Sequence, residues 1–157
     1  MADNVKGTYG NFGLIFNTDS ELLLVQRDDG RWNLPGGGVS EDDAAAGIND
    51  AGVAIREVLE ETGLIVALHD ARPIGVYSTM KHTDMAVTWH CVAGGGELAK
   101  TSEGIDARHF SPEQILALAN RGDVAEGLVG GIRTLTGAVP RHIMMCLHAF
   151  TRASTIP

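Results

Sequence analysis

Three glutamates in the stretch Arg56-Glu57-Val58-Leu59-Glu60-Glu61-Thr62-Gly63-Leu64 have the spacing of a binding surface. Glu57, Glu60 and Glu61 stand at i, i+3 and i+4, so a helix carries all three carboxylates on one face. Like charges stacked this way cost an ordinary solvated helix a few tenths of a kcal/mol per pair. A hard divalent cation such as Mg²⁺ or Mn²⁺ reverses that cost, because it prefers carboxylate oxygens. Ala54, Ile55, Val58, Leu59 and Leu64 supply an apolar side that can be buried, and Gly63 suits a left-handed C-cap. The competing reading is an acidic surface helix in which Arg56 and Glu60 form an i, i+4 pair worth about 0.3–0.5 kcal/mol.

A glycine run upstream, Leu34-Pro35-Gly36-Gly37-Gly38, weighs against a merely solvated helix. Glycines there let the backbone approach a ligand closely or adopt positive φ. Together the two pieces resemble the Nudix hydrolase signature, G-x5-E-x7-R-E-U-x-E-E-x-G-U, where U is aliphatic. The second half matches at every specified position from Arg56 to Leu64, a specific signal. The first half departs from it. Gly37 and Arg56 lie 19 positions apart where the pattern has 14, so five extra residues are present. Counting forward from Gly37 puts Asp43 where the first glutamate belongs, whereas counting back from Arg56 puts Ile48 there. Glu41, Asp42 and Asp50 lie nearby.

The resemblance implies metal-assisted hydrolysis of a diphosphate linkage in a nucleoside diphosphate joined to another group, by water attack on phosphorus. It makes Glu57, Glu60 and Glu61 metal ligands for Mg²⁺ or Mn²⁺, with the Gly36 carbonyl beside them, and gives Arg56 the task of orienting the glutamates. Relatives take the general base from the box helix or from a distal acidic loop. Thr101-Ser102-Glu103-Gly104-Ile105-Asp106 resembles that loop, which makes Glu103 the candidate and Glu97 the second. Trp32 matches a frequent lead-in to the glycine run and is equally well read as a core aromatic. A nucleoside triphosphate and a nucleotide sugar both remain open as substrates. The alternative function is a catalytically weak module that senses or binds a nucleotide on the same fold.

The resemblance also implies an α+β fold, an α/β/α sandwich with a mixed sheet flanked by helices. The chain supplies matching elements. Gly10–Thr18 and Glu21–Arg27, joined by Asn17-Thr18-Asp19-Ser20, read as a hairpin. Ser40–Asp50 is the expanded loop, and the box helix begins near Asp50 or Ala51. Extended segments follow at Leu64–Leu68, Pro73–Tyr77 and Met85–Val92, the last broken by Gly94-Gly95-Gly96. Asp106–Phe110 reads as a strand, and Ser111-Pro112 starts a helix with serine at N-cap, whose buried face draws on Ile115, Leu116 and Leu118. Val124–Leu135 offers a further helix weakened by glycines. Arg108 reads as a structural ion-pair partner.

At 157 residues the chain fits one domain, 1–157, with residues 140–157 as a C-terminal extension. Its apolar segment, Ile143 to Phe150, could extend the sheet or bury itself against a second subunit in a homodimer. A net charge of −8 argues against a broad nucleic-acid footprint and for imported positive charge at any phosphate site. Apolar runs are too short to span a bilayer, the N-terminus has no apolar signal core, and Cys91 and Cys146 fit no metal spacing. Both read as buried thiols, which points to the cytoplasm.

Overall fold

The computed structural model describes residues 10–69, 73, 75–78, 85–99 and 106–125. Among the described residues, eight strands and three helices run in the order β1 (Gly10–Ile15), β2 (Leu22–Gln26), β3 (Trp32–Asn33), β4 (Gly36–Gly38), α1 (Glu41–Ala46), α2 (Asp50–Thr62), β5 (Leu64–Leu68), β6 (Gly75–Ser78), β7 (Met85–Gly96), β8 (Ala107–Phe110) and α3 (Pro112–Asn120). One mixed sheet has the order β4-β1-β7-β5, with β6 also on β7, and a second has the order β3-β2-β8. β1 and β7 are parallel, whereas β4 on β1 and β5 on β7 are antiparallel. The α+β architecture is the one expected.

Two apolar clusters hold these layers together, and β1 and β2 feed both. Leu14, Leu22 and Leu24 join Trp32, Leu34, Ile115 and Leu118 beneath α3. Ile15 and Leu23 join Ala54, Val58, Leu64, Val66, Val87 and Trp89 beneath α2. Successive strand residues point to opposite faces, so an uninterrupted Leu-Leu-Leu-Val run belongs to a strand buried on both sides. Leu22, Leu23, Leu24 and Val25 are indeed each 0% exposed.

The expected hairpin is corrected. The turn forms, with Asn17 Oδ1 accepting from the Asp19 and Glu21 amides at 3.0 and 2.9 Å. Beyond the single bridge Phe16–Leu22, however, β1 and β2 part into different sheets. β7 takes one edge of β1 along its whole length, and β4 takes the other edge over Gly10–Phe12. The glycine run Gly94–Gly96 also fails to end β7, which continues to Gly96 and takes up the misfit as a register shift opposite Ile65/Val66.

The inserted segment differs as well, for it is not simply a loop. Ser40 caps α1 through a capping box, its hydroxyl accepting from the Asp43 amide at 3.1 Å while Asp43 Oδ2 accepts from the Ser40 amide at 2.9 Å. Gly47, at φ 68°, closes the helix in the left-handed region. α3 carries the expected Ser111 cap and Pro112, and buries Ile115 and Leu118, with Leu116 half-buried. The helix read over Val124–Leu135 falls almost wholly outside the described residues, as does the extension 140–157. Among the described residues no helix is long and apolar enough to cross a membrane.

Candidate active site

α2 is fixed at both ends before it presents anything. Asn49 caps it, its side chain accepting from the Gly52 amide at 2.8 Å. Gly63, at φ 78°, ends it and turns the chain directly into β5. Thr62 secures that corner, its hydroxyl donating to the Val58 carbonyl at 2.6 Å and accepting from the Leu64 amide at 3.1 Å. With Ala54 and Val58 buried against the mixed sheet, the opposite side of the helix must carry the charged residues.

Arg56 organises that charged side. Its Nε and Nη2 donate to the two carboxylate oxygens of Asp43, each at 2.7 Å. Nη2 also donates to Glu57 Oε1 at 2.9 Å, and Nη1 donates to Glu60 Oε2 at 2.7 Å. One planar guanidinium thus holds three carboxylates, and the two-pronged contact to Asp43 is the stronger kind of charge-assisted bond. Burial works against the Asp43 anion, yet Arg56 and the Ser40 amide and hydroxyl together keep its carboxyl below the usual aspartate range. Burial likewise disfavours the Arg56 cation, but the bond from Asp43 and the charges of Glu57 and Glu60 raise its pKa further above its usual high value.

The glycine strand meets this helix edge to edge. A Cβ on Gly37 would lie 2.7 Å from Glu57 Oε1, so a side chain there would have to push that carboxylate from its present position. A Cβ on Gly36 would strike the Asn11 carbonyl, and its φ of 156° lies at the edge of the region that side chains avoid. The Gly36 amide donates to Glu61 Oε2 at 3.0 Å, which ties strand to helix. Glu61 is nearly enclosed, at 4% exposed, whereas Glu60 is 45% exposed. Arg27, just past β2, donates from Nη1 to Glu61 Oε1 at 3.2 Å and from Nη2 to the Gly36 carbonyl at 3.3 Å.

The expected residues Gly36, Arg56, Glu57, Glu60 and Glu61 therefore lie along one seam between α2 and β4. Their oxygen donors, three carboxylates and one backbone carbonyl, suit a hard divalent cation. Among the described residues no three His, Cys, Asp or Glu side chains already converge as a cation cage. Asp43, one of two readings for the first acidic position, is the residue that reaches Arg56, and Ile48 is exposed. Sequence reasoning missed Arg27. Its signal was faint, a charge ending an apolar strand, with nothing to point at a partner 34 positions away.

The remaining candidates are less central or lie elsewhere. Glu103 is outside the described residues, and Glu97 is an exposed residue just beyond β7. Trp32 is a buried core aromatic, edge-on to Phe110 at 4.8 Å. Arg108 pairs with Asp106 at 2.7 Å and lies 5.8 Å from the Trp32 ring centre, a structural arrangement. Burial lowers the His109 pKa against an opposing pull from Glu21. Burial also pushes the Cys91 thiol up to about 12, which leaves it protonated and inert.

Comparison with known proteins places the chain in a family. The NUDIX domain family model matches residues 10–128. A Bacillus subtilis (strain 168) protein provisionally named an 8-oxo-dGTP diphosphatase is 34% identical over 110 residues, 69% of each chain. A MutT-like protein of Streptomyces ambofaciens is 33% identical over 104 residues, 66% of this chain and 63% of that one. Among solved structures, an ADP-ribose pyrophosphatase from Streptococcus suis 89-1591 superposes with a TM-score of 0.61 at 25% identity, covering 92% of each chain. A UDP-X diphosphatase shares the fold with a TM-score of 0.63 at 16% identity, over 96% of this chain and 66% of that one. With the family match spanning most of its length, the chain belongs to the Nudix family and is a hydrolase of that family.

Proposed function

We propose that this hydrolase cleaves a diphosphate linkage in a nucleoside diphosphate joined to another moiety, such as a nucleoside triphosphate or a nucleotide sugar, with Mg²⁺ or Mn²⁺ as cofactor. The observation that carries the reading is the Arg56 clamp, which fixes Glu57 and Glu60 beside a glycine strand whose Gly36 has no room for a side chain. The names of the similar proteins, an 8-oxo-dGTP diphosphatase and an ADP-ribose pyrophosphatase, support the same substrate class.

Hydrolysis here requires water to attack a phosphorus already surrounded by negative oxygens. A divalent cation, when bound, would neutralise that charge and activate the water. Glu57, Glu60, Glu61 and the Gly36 carbonyl are the groups that would hold it. Arg56 sets the orientation of Glu57 and Glu60. Glu103 remains the candidate to accept the proton of the attacking water. A net charge of −8 makes imported positive charge necessary for any polyphosphate to approach. The free, buried thiol of Cys91 suits a reducing, cytoplasmic setting.

Glu60→Gln tests the ligand assignment, since Glu60 is the most exposed member of the set and the least needed for packing. Turnover is expected to fall by at least about 100-fold with the fold intact. Activity like that of the wild type in this variant would remove Glu60 from the site.

A further inference from the structure

Arg27 follows a strand of the three-stranded sheet, yet its guanidinium reaches the seam between α2 and β4. A tight turn fixes its backbone, with the Arg27 amide donating to the Arg31 carbonyl and the Gly30 amide to the Arg27 carbonyl, both at 2.8 Å. From there Nη1 contacts Glu61 at 3.2 Å, and Nη2 contacts the Leu34 and Gly36 carbonyls at 3.4 and 3.3 Å. Glu61 in turn accepts from the Gly36 amide at 3.0 Å. A carboxylate only 4% exposed needs a compensating positive charge. Arg27 supplies it, and through the same fork it holds the Gly36 carbonyl against Glu61.

Those two acceptors, a backbone carbonyl and a buried carboxylate, are also oxygens that a divalent cation would take. The Arg27 side chain is 31% exposed, so it has a route outward. We infer that Arg27 is a displaceable internal cation, a positioning residue that keeps Glu61 and Gly36 together and gives up both oxygens when a divalent cation binds. This rests on the metal-dependent reading above. It separates two properties that a plain structural arginine would keep together. Removing Arg27 must weaken the metal-free protein, because Glu61 loses its counter-charge. It must also tighten cation binding, because the competitor for the same oxygens is gone.

The test is Mn²⁺ binding to the full chain, followed by the loss of free Mn²⁺ signal in electron paramagnetic resonance, together with thermal midpoints with and without Mn²⁺. Wild type, Arg27→Met and Arg27→Lys are compared, with Glu57→Gln as a control for the site. Arg27→Met is expected to melt lower without metal, to bind Mn²⁺ about tenfold tighter and to gain more stabilisation from it. Arg27→Lys keeps the charge but not the fork, and should shift both properties the same way by less. Equal or weaker Mn²⁺ binding in folded Arg27→Met overturns the inference. Should that variant fail to fold, equal or weaker binding in Arg27→Lys does so. If wild type binds Mn²⁺ and Glu57→Gln does not, the site stands whatever Arg27 does. Loss of Mn²⁺ binding in every protein, wild type included, overturns the metal assignment and the inference together.

Discussion

Arg56 and Arg27 flank the same acidic helix and hold its carboxylates in opposite ways. Arg56 belongs to α2 itself, contacts Glu57 and Glu60 on its own helix, and is anchored by a two-pronged bond to Asp43 of the neighbouring α1. Arg27 comes from outside the helix, from the end of a strand in the other sheet, and contacts the nearly enclosed Glu61. The contrast shows that a cluster of like charges is held in two ways here, by a local clamp on its open side and by a long-range counter-charge on its closed side. Glu60 is left 45% exposed on the solvent side of the clamp, whereas Glu61, at 4%, is part of the packing.

Breaking the open side should affect chemistry more than folding. Glu57→Gln removes a carboxylate pressed against Gly37 and should lower turnover by at least about 100-fold, with a thermal midpoint near that of the wild type. Gly37→Ala attacks the same contact from the strand side, since its Cβ would come within 2.7 Å of Glu57 Oε1. Steady-state kinetics should show turnover reduced by about tenfold or more, as expected when a ligand shifts by a fraction of an ångström.

Asp43→Asn tests the anchor behind the clamp. Asp43 is only 2% exposed and Arg56 keeps two other carboxylates, so chemical denaturation should show a loss of about 1–3 kcal/mol, less than for an isolated buried pair. The same variant has a pH signature. The Asp43 pKa is depressed in the folded chain, so its contribution is complete above the unfolded aspartate value of about 3.9 and is lost as pH falls through the folded value. Midpoints measured from neutral to strongly acidic pH should show wild type and Asp43→Asn converging only below about pH 3.9. A gap of constant size across that range would contradict the role of the Asp43 charge. The smallest effect belongs to a surface pair away from both arginines. Arg121→Ala, which breaks a 2.9 Å contact to Asp123 with both side chains largely exposed, should change stability by less than about 0.5 kcal/mol.

The open side was legible in the sequence and the closed side was not. Residues at i, i+3 and i+4 must share a helix face, so the common side of Glu57 and Glu60 and the Arg56–Glu60 contact follow from spacing alone, whereas the enclosure of Glu61 does not. The strand at Leu64–Leu68 and the Ser111-Pro112 helix start are equally local and appear with the bounds expected. The helical nature of the insertion was written as Ser40-x-x-Asp43, alanines and Gly47, but it was masked by acidic residues that resemble a loop. The split of β1 and β2 into two sheets is a matter of which edges are already taken, which no window of sequence contains. The reach of Arg27 to Glu61 is of the same kind, being set by how the two sheets pack.

The most direct test of the central claim, that the carboxylate face of α2 drives metal-dependent cleavage of a nucleotide diphosphate linkage, is product release from a substrate panel. The panel holds nucleoside triphosphates, ADP-ribose, nucleotide sugars and dinucleoside polyphosphates, each with Mg²⁺, with Mn²⁺ and with chelator. The account predicts turnover of at least one class that requires the metal and is abolished by chelation. Cleavage that persists undiminished in chelator would contradict it, as would nucleotide binding without turnover of any class.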